Sequence, residues 1–94
     1  EEAKKAAAQG QVAELKSMLN LGYAKLYLQT GSAPATAGEV IVAAIGTSSA
    51  TTVGVAPDIW NFQVTGAGTK ASISVTGRNG DNHYAATGSW NIPQ

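Results

Sequence analysis

Residues 1–28, EEAKKAAAQGQVAELKSMLNLGYAKLYL, decide the fold class. Ala8, Val12, Leu15, Leu19, Tyr23 and Leu26 recur at spacings of three and four, with Met18 and Gly22 beside them. That is the period of an α-helix with one apolar stripe. Lys4, Lys5, Gln11, Lys16 and Lys25 fall mostly off the stripe, and Ala, the best helix former, fills the opening turns. The spacing predicts one helix over 1–28, about 40 Å long at 1.5 Å per residue. Globular helices average about 11–12 residues, so part of this one is expected to overhang what it packs on. The pattern is at full strength at Glu1, with no initiator Met, which points to a chain cut from a longer one.

Two glycines interrupt the helix. Each costs roughly 1 kcal/mol against Ala. Gly22 borders the apolar stripe and is expected to allow close approach of another backbone. Gly31 is a C-terminal stop, with Pro34 beyond it, and residues 29–38 read as a loop. Val40 to Ile45 is a short apolar run between Gly38 and Gly46. It reads as a strand, with a short helix as the alternative that its Ala pair leaves open. Residues 46–57 read as a polar loop ending in Pro57.

The remainder is strand-rich. Ile59 to Val64 alternates, with Trp60, Phe62 and Val64 on one side and Asn61 and Gln63 on the other. Gly66-Ala67-Gly68-Thr69 supplies a turn. Ala71, Ile73 and Val75 then alternate with Lys70, Ser72, Ser74 and Thr76. Asn79-Gly80 provides the pair a type I′ hairpin turn favours, since both central residues need positive φ. A two-residue loop there sets Arg78 opposite Asp81, Val75 opposite Tyr84, Ile73 opposite Ala86 and Ala71 opposite Gly88. On the other face it sets Thr76 opposite His83, Ser74 opposite Ala85 and Ser72 opposite Thr87. One face is then apolar and the other mostly polar, which a one-residue slip would destroy. The expected architecture is one α+β domain over 1–94, a long N-terminal amphipathic helix on a three- or four-stranded antiparallel meander. Its parts are a helix (1–28), a loop (29–38) and a strand-rich region (39–94) with the hairpin at 70–90. Val12, Leu15, Leu19, Tyr23 and Leu26 form the helix face toward the sheet. Trp60, Phe62, Ile73, Val75 and Tyr84 form the sheet's side of the core.

Composition narrows the function classes. Six Lys/Arg balance six Asp/Glu, and charged residues are 13% of the chain, about half the usual share of ~25%. Phosphate binding needs clustered cations, so nucleic acid is not an expected partner. The absence of cysteine rules out disulfides, thiolate metal sites and cysteine nucleophiles. No run of 18 or more apolar residues spans a membrane within these residues.

Chemistry-bearing clusters are sparse. His83 is the sole histidine, beside Asp81 and Asn82 near the turn, and reads as exposed. Glu39, Asp58 and Asp81 are isolated in sequence, and no nucleophile elbow or phosphate loop is present. Asp58, Asn79, Asp81 and Asn82 are oxygen donors too scattered for a calcium loop. No enzyme activity, cofactor or metal is therefore expected. Trp60, Tyr84 and Trp90 read as core and sheet-edge aromatics, with a sugar-stacking platform as the alternative.

The order of parts resembles the soluble portion of a type IV pilin or related pseudopilin. The shared features are a long helix opening Glu1-Glu2-Ala-Lys-Lys-Ala-Ala-Ala, a loop, and an antiparallel meander. The resemblance implies a hydrophobic helix segment upstream of Glu1, which anchors the precursor in the inner membrane and later packs in the filament core. It also implies leader cleavage after a Gly, a methylated first residue and a Glu at the fifth mature position, all outside this stretch. Two family features are not found: the C-terminal disulfide of many pilins and the acidic calcium loop of major pseudopilins. The implied function is a structural subunit of a cell-surface type IV pilus, for adhesion or motility. Its implied partners are itself in a helical homopolymer, the pilus assembly machinery and the inner membrane. The alternatives are a pseudopilin of a secretion or DNA-uptake machine, or an extracellular sugar-binding or adhesin module. The loops at 29–38 and 46–57 are the expected subunit contact and exposed surface.

Overall fold

The structure, a computed structural model, describes residues 2–46, 51–53 and 59–93. A long helix, α1 (Glu2–Thr30), and a short one, α2 (Ala37–Ile45), cover one face of an antiparallel sheet. The sheet is a meander of β2 (Trp60–Ala67), β3 (Lys70–Arg78) and β4 (Ala86–Asn91), joined at the β2 edge by a short strand, β1 (Thr51–Val53). The α+β class expected from the sequence is what the chain adopts.

α1 is about 43 Å long at 1.5 Å per residue, matching the 43 Å long axis of the domain. It ends where Gly31 turns to φ +79°, with the Gly31 N–H donating to the Tyr27 carbonyl at 2.8 Å. Ala8, Val12, Leu15 and Leu19 are buried, while Tyr23 and Leu26 are half-buried at the edge of the same core. The expected overhang is largely filled, because α2 packs against the second half of α1.

That element is a correction. Residues 40–45 form a helix, not a strand, and the loop expected over 29–38 gives up its last residues to it. The cause is an N-terminal capping box. The Thr36 hydroxyl accepts the Glu39 N–H at 3.4 Å, and the Glu39 carboxylate accepts the Ala35 and Thr36 N–H groups at 3.0 and 3.2 Å. These bonds satisfy donors that a helix start leaves unpaired. Gly46, at φ +99°, closes the other end. Ala37, Val40 and Ile41 are then buried at helical spacing. The stretch 46–57 is likewise not one loop, since β1 lies within it; its residues 47–50 and 54–57 fall outside the described residues.

β2 runs past Val64 to Ala67, so Gly68-Thr69 alone turns the chain into β3. Phe62, Val64, Ala71, Ile73 and Val75 are buried on the helix side. Gln63, Thr65, Ser72, Thr87 and Ser89 stand exposed on the other face. At the second hairpin, Asn79 (φ +54°) and Gly80 (φ +83°) form the turn, and Arg78 bridges Asp81 as expected. Beyond that bridge the register differs by two residues: Val75 faces Ala86, Ile73 faces Gly88 and Ala71 faces Trp90. Ser74 faces Thr87 and Ser72 faces Ser89, so Thr76 does not pair with His83. Residues 82–85 make an extra excursion before β4 starts. A two-residue displacement keeps every side chain on its face, because the side-chain period of a strand is two.

Glycines mark where backbones meet. A Cβ on Gly22 would lie 2.8 Å from the Ala44 Cβ and 3.0 Å from the Val40 carbonyl oxygen, so α1 and α2 touch backbone to backbone. One on Gly88 would lie 2.6 Å from Val12 Cγ1, where α1 crosses β4. Gly10 has open space around it. Opposite effects follow for one substitution type. Gly10→Ala is expected to stabilise by up to about 1 kcal/mol through helix propensity. Gly22→Ala is expected to destabilise by about 1–3 kcal/mol through overpacking. Urea-denaturation midpoints of the two variants check both signs.

Candidate functional site

The described residues carry two distinct clusters. The first is the polar and aromatic group at the Asn79-Gly80 end of the sheet. Asp81 leaves the turn facing α1, and Lys4 Nζ donates to its Oδ2 at 2.9 Å. The His83 backbone N–H donates to Oδ1 at 2.9 Å, and His83 Nδ1 lies 2.9 Å from the same oxygen. Lys4, together with the His83 N–H and ring, holds the Asp81 carboxyl well below the usual carboxylate range. The Asn79 N–H donates to the Ile59 carbonyl at 2.8 Å, and the Ile59 N–H donates to Asn79 Oδ1 at 2.9 Å. The turn is thereby bound to α1 on one side and to the start of β2 on the other.

Trp60 and Tyr84 meet edge to face, with centroids 5.6 Å apart. Arg78 Cζ lies 5.2 Å from both ring centroids, and Lys4 Nζ lies 5.7 Å from the Tyr84 ring. Both rings are half-buried against the core. Tyr84 reaches Trp60 because it sits in the 82–85 excursion, not opposite Val75. Trp90 is elsewhere. It pairs with Ala71, seven residues along β3 from Arg78, the partner of Trp60, or roughly 23 Å at 3.3 Å per residue. It is 7% exposed and donates its indole N–H to Asn20 Oδ1 at 2.8 Å. The three aromatics named as a possible sugar platform are therefore not brought together.

Chemically this first cluster is a set of satisfied charges and cation–π contacts. The His83 ring is exposed and tied to Asp81. Among the described residues no three His, Cys, Asp or Glu side chains converge as a metal site. Asn79 and Asp81 spend side-chain oxygens on Ile59, Lys4 and His83. Asp58 lies outside the described residues.

The second cluster is apolar and lies on the helices. Leu21 and Leu28 of α1 are 71% and 86% exposed, and Val42 of α2 is 58% exposed. Grooves flank α2 on both sides. One, of about 680 Å³, is lined by Leu26, Pro34, Glu39 and Val42 among others. The other lies among Met18, Leu21, Lys25 and Ala43. The sequence reading passed over Leu21 and Leu28, which fall outside the stripe ending Leu19, Tyr23 and Leu26. Their mutual spacing of seven on one helix side was the available signal. The expected contact segment 29–38 contributes Pro34 and its neighbours to the larger groove.

No protein-family model matches this sequence, and neither a curated protein nor a solved structure matches it.

Two measurements probe these side chains. Asp81 has a depressed folded pKa, so its contribution to stability is complete above the ordinary value of about 3.9. That contribution is lost as pH falls through this value and below it. Asp81→Asn is expected to flatten that acid limb of the thermal midpoint against pH. Gln11 is 4% exposed on α1, and its Nε2 has no hydrogen-bond partner. Gln11→Met, of similar shape, removes an unsatisfied buried donor and is expected to stabilise by about 1 kcal/mol, read from the urea midpoint.

Proposed function

We propose that this chain is the head of a pilin-like subunit that polymerises into a surface filament of the type IV pilus or pseudopilus class. The observation that carries the reading is the layering: a 29-residue helix leads the domain, spans its long axis and packs on an antiparallel meander and on α2. In such a subunit one helix serves as both the spine of the head and the continuation of the apolar filament core. The chemistry supports a structural role. The charged and aromatic side chains at the hairpin end are bound to one another, while the apolar surface left open belongs to the helices. Head-to-tail contacts between copies are heterologous and non-closing, so they extend a filament. The subunit sits in the inner membrane before assembly and at the cell surface afterwards. Its role there is structural, in adhesion or motility.

The test is the native precursor, read from the encoding DNA and checked by mass on protein from cells. The expected result is a short basic leader, a Gly cleavage site and an apolar run with Glu at the fifth mature position. The polymer is then expected in sheared surface fractions, and its length separates pilus from pseudopilus. A conventional secretory signal, or a Met directly before Glu1, contradicts the reading.

A further inference from the structure

We infer that the two helices carry a heterologous self-contact, in which a ridge on α1 of one copy seats in the groove beside α2 of the next. The partner is a second copy of this chain, and the inference rests on the filament reading for its setting. Leu21, Lys25 and Leu28 stand at i, i+4 and i+7 on one side of α1, a ridge about 10 Å long at 1.5 Å per residue. Leu21 and Leu28 are among the most exposed large apolar side chains of the described residues. Leu26 is turned from Leu21 by about 140° at 100° per residue. The groove beside it, where Pro34, Glu39 and Val42 lie, therefore opens on another side of the helix pair.

Charge complementarity selects the occupant. Lys25 belongs to the ridge and Glu39 to the groove. Neither has an ion-pair partner among the described residues; Glu39 accepts backbone N–H groups with Oε2 and keeps a net negative charge at the groove. A ridge with two leucines and one cation thus matches a groove with two apolar walls and one carboxylate. Exposed apolar ridges with this match mark interaction surfaces. Because ridge and groove lie on different sides, one copy cannot use both on the same neighbour. The contact propagates and does not close into a dimer.

The cysteine-free background provides the test. Leu28→Cys and Val42→Cys variants of the chain, one carrying a mass-shifting tag, are mixed and mildly oxidised. Both positions are exposed, where substitutions change stability little. The expected result is disulfide heterodimer about tenfold above either homodimer, a ratio that answers to the affinity difference. High salt, or Lys25→Glu in the Leu28→Cys chain, is expected to lower that excess toward the random ratio. The doubly substituted chain is expected to give a ladder of multimers. A Ser72→Cys chain, bearing its thiol on the open sheet face, is the control partner. A random ratio equal to that control, or Leu28–Leu28 homodimer in excess, overturns the contact. The precursor sequence decides the filament reading independently, so a chain with a pilin leader and a random ratio loses this contact alone.

Discussion

The approach of α1 to its two supports is the constraint on which the rest depends. Val12 sits over Gly88 of β4, and Gly22 sits against Ala44 of α2. At both points one side has no Cβ, so the backbones close to a distance that ordinary side chains would forbid. With α1 held at two places, Ala8, Leu15 and Leu19 are driven into the sheet, and Phe62, Val64, Ile73 and Val75 meet them from below. α2 is pinned in turn, since Gly66 of β2 lets the Gly38 backbone come close. The three elements brace one another, so a domain with a thin core still holds a helix far longer than its sheet.

The hairpin end shows how a small sheet is closed against that helix. Asn79 and Gly80 reverse the chain, and the excursion over 82–85 displaces the return strand by two residues. Without it, Tyr84 would face Val75, and Trp60 would lose its edge-to-face neighbour. With it, Tyr84, Trp60 and Arg78 pack together, and Asp81 reaches Lys4 near the start of α1. The long helix is tied near its start by an ion pair and along its middle by apolar packing, with the Trp90–Asn20 hydrogen bond just beyond Leu19. The Lys4–Asp81 pair is modest because water still reaches both side chains; the effect of the two polar contacts is to fix which turn of helix lies over which strand.

Much of this was legible from residues alone. The period through Val12, Leu15 and Leu19 named the buried face of α1. Alternation through Phe62 and Ile73 named the sheet's inner face, Asn79-Gly80 named the turn, and Gly22 was placed correctly as a point of close packing. The misreadings have physical causes. Val40–Ile45 has the composition of a strand, and a strand or a short buried helix gives the same apolar run. The deciding signal lay upstream, in Thr36 and Glu39 three residues apart, which is a helix start. The hairpin register failed because a turn fixes only the pair beside it. An excursion of even length keeps inside and outside faces intact, so alternation cannot detect it. The candidate contact surface was hidden for a different reason: Leu21 and Leu28 look like ordinary helix leucines until the core is seen to lie on the other side.

The helices bury one side in the core and leave Leu21, Leu28 and Val42 exposed on another, the surface to which we assign a second copy. That account stands on the geometry of α1, α2 and β4, and one measurement tests it most directly. In solution NMR, the account predicts nuclear Overhauser contacts from Gly22 Hα to the Ala44 methyl and from Gly88 Hα to a Val12 methyl, with helical chemical shifts through Ala37–Ile45. Extended shifts across that segment, with both contacts missing from a folded sample, would contradict it.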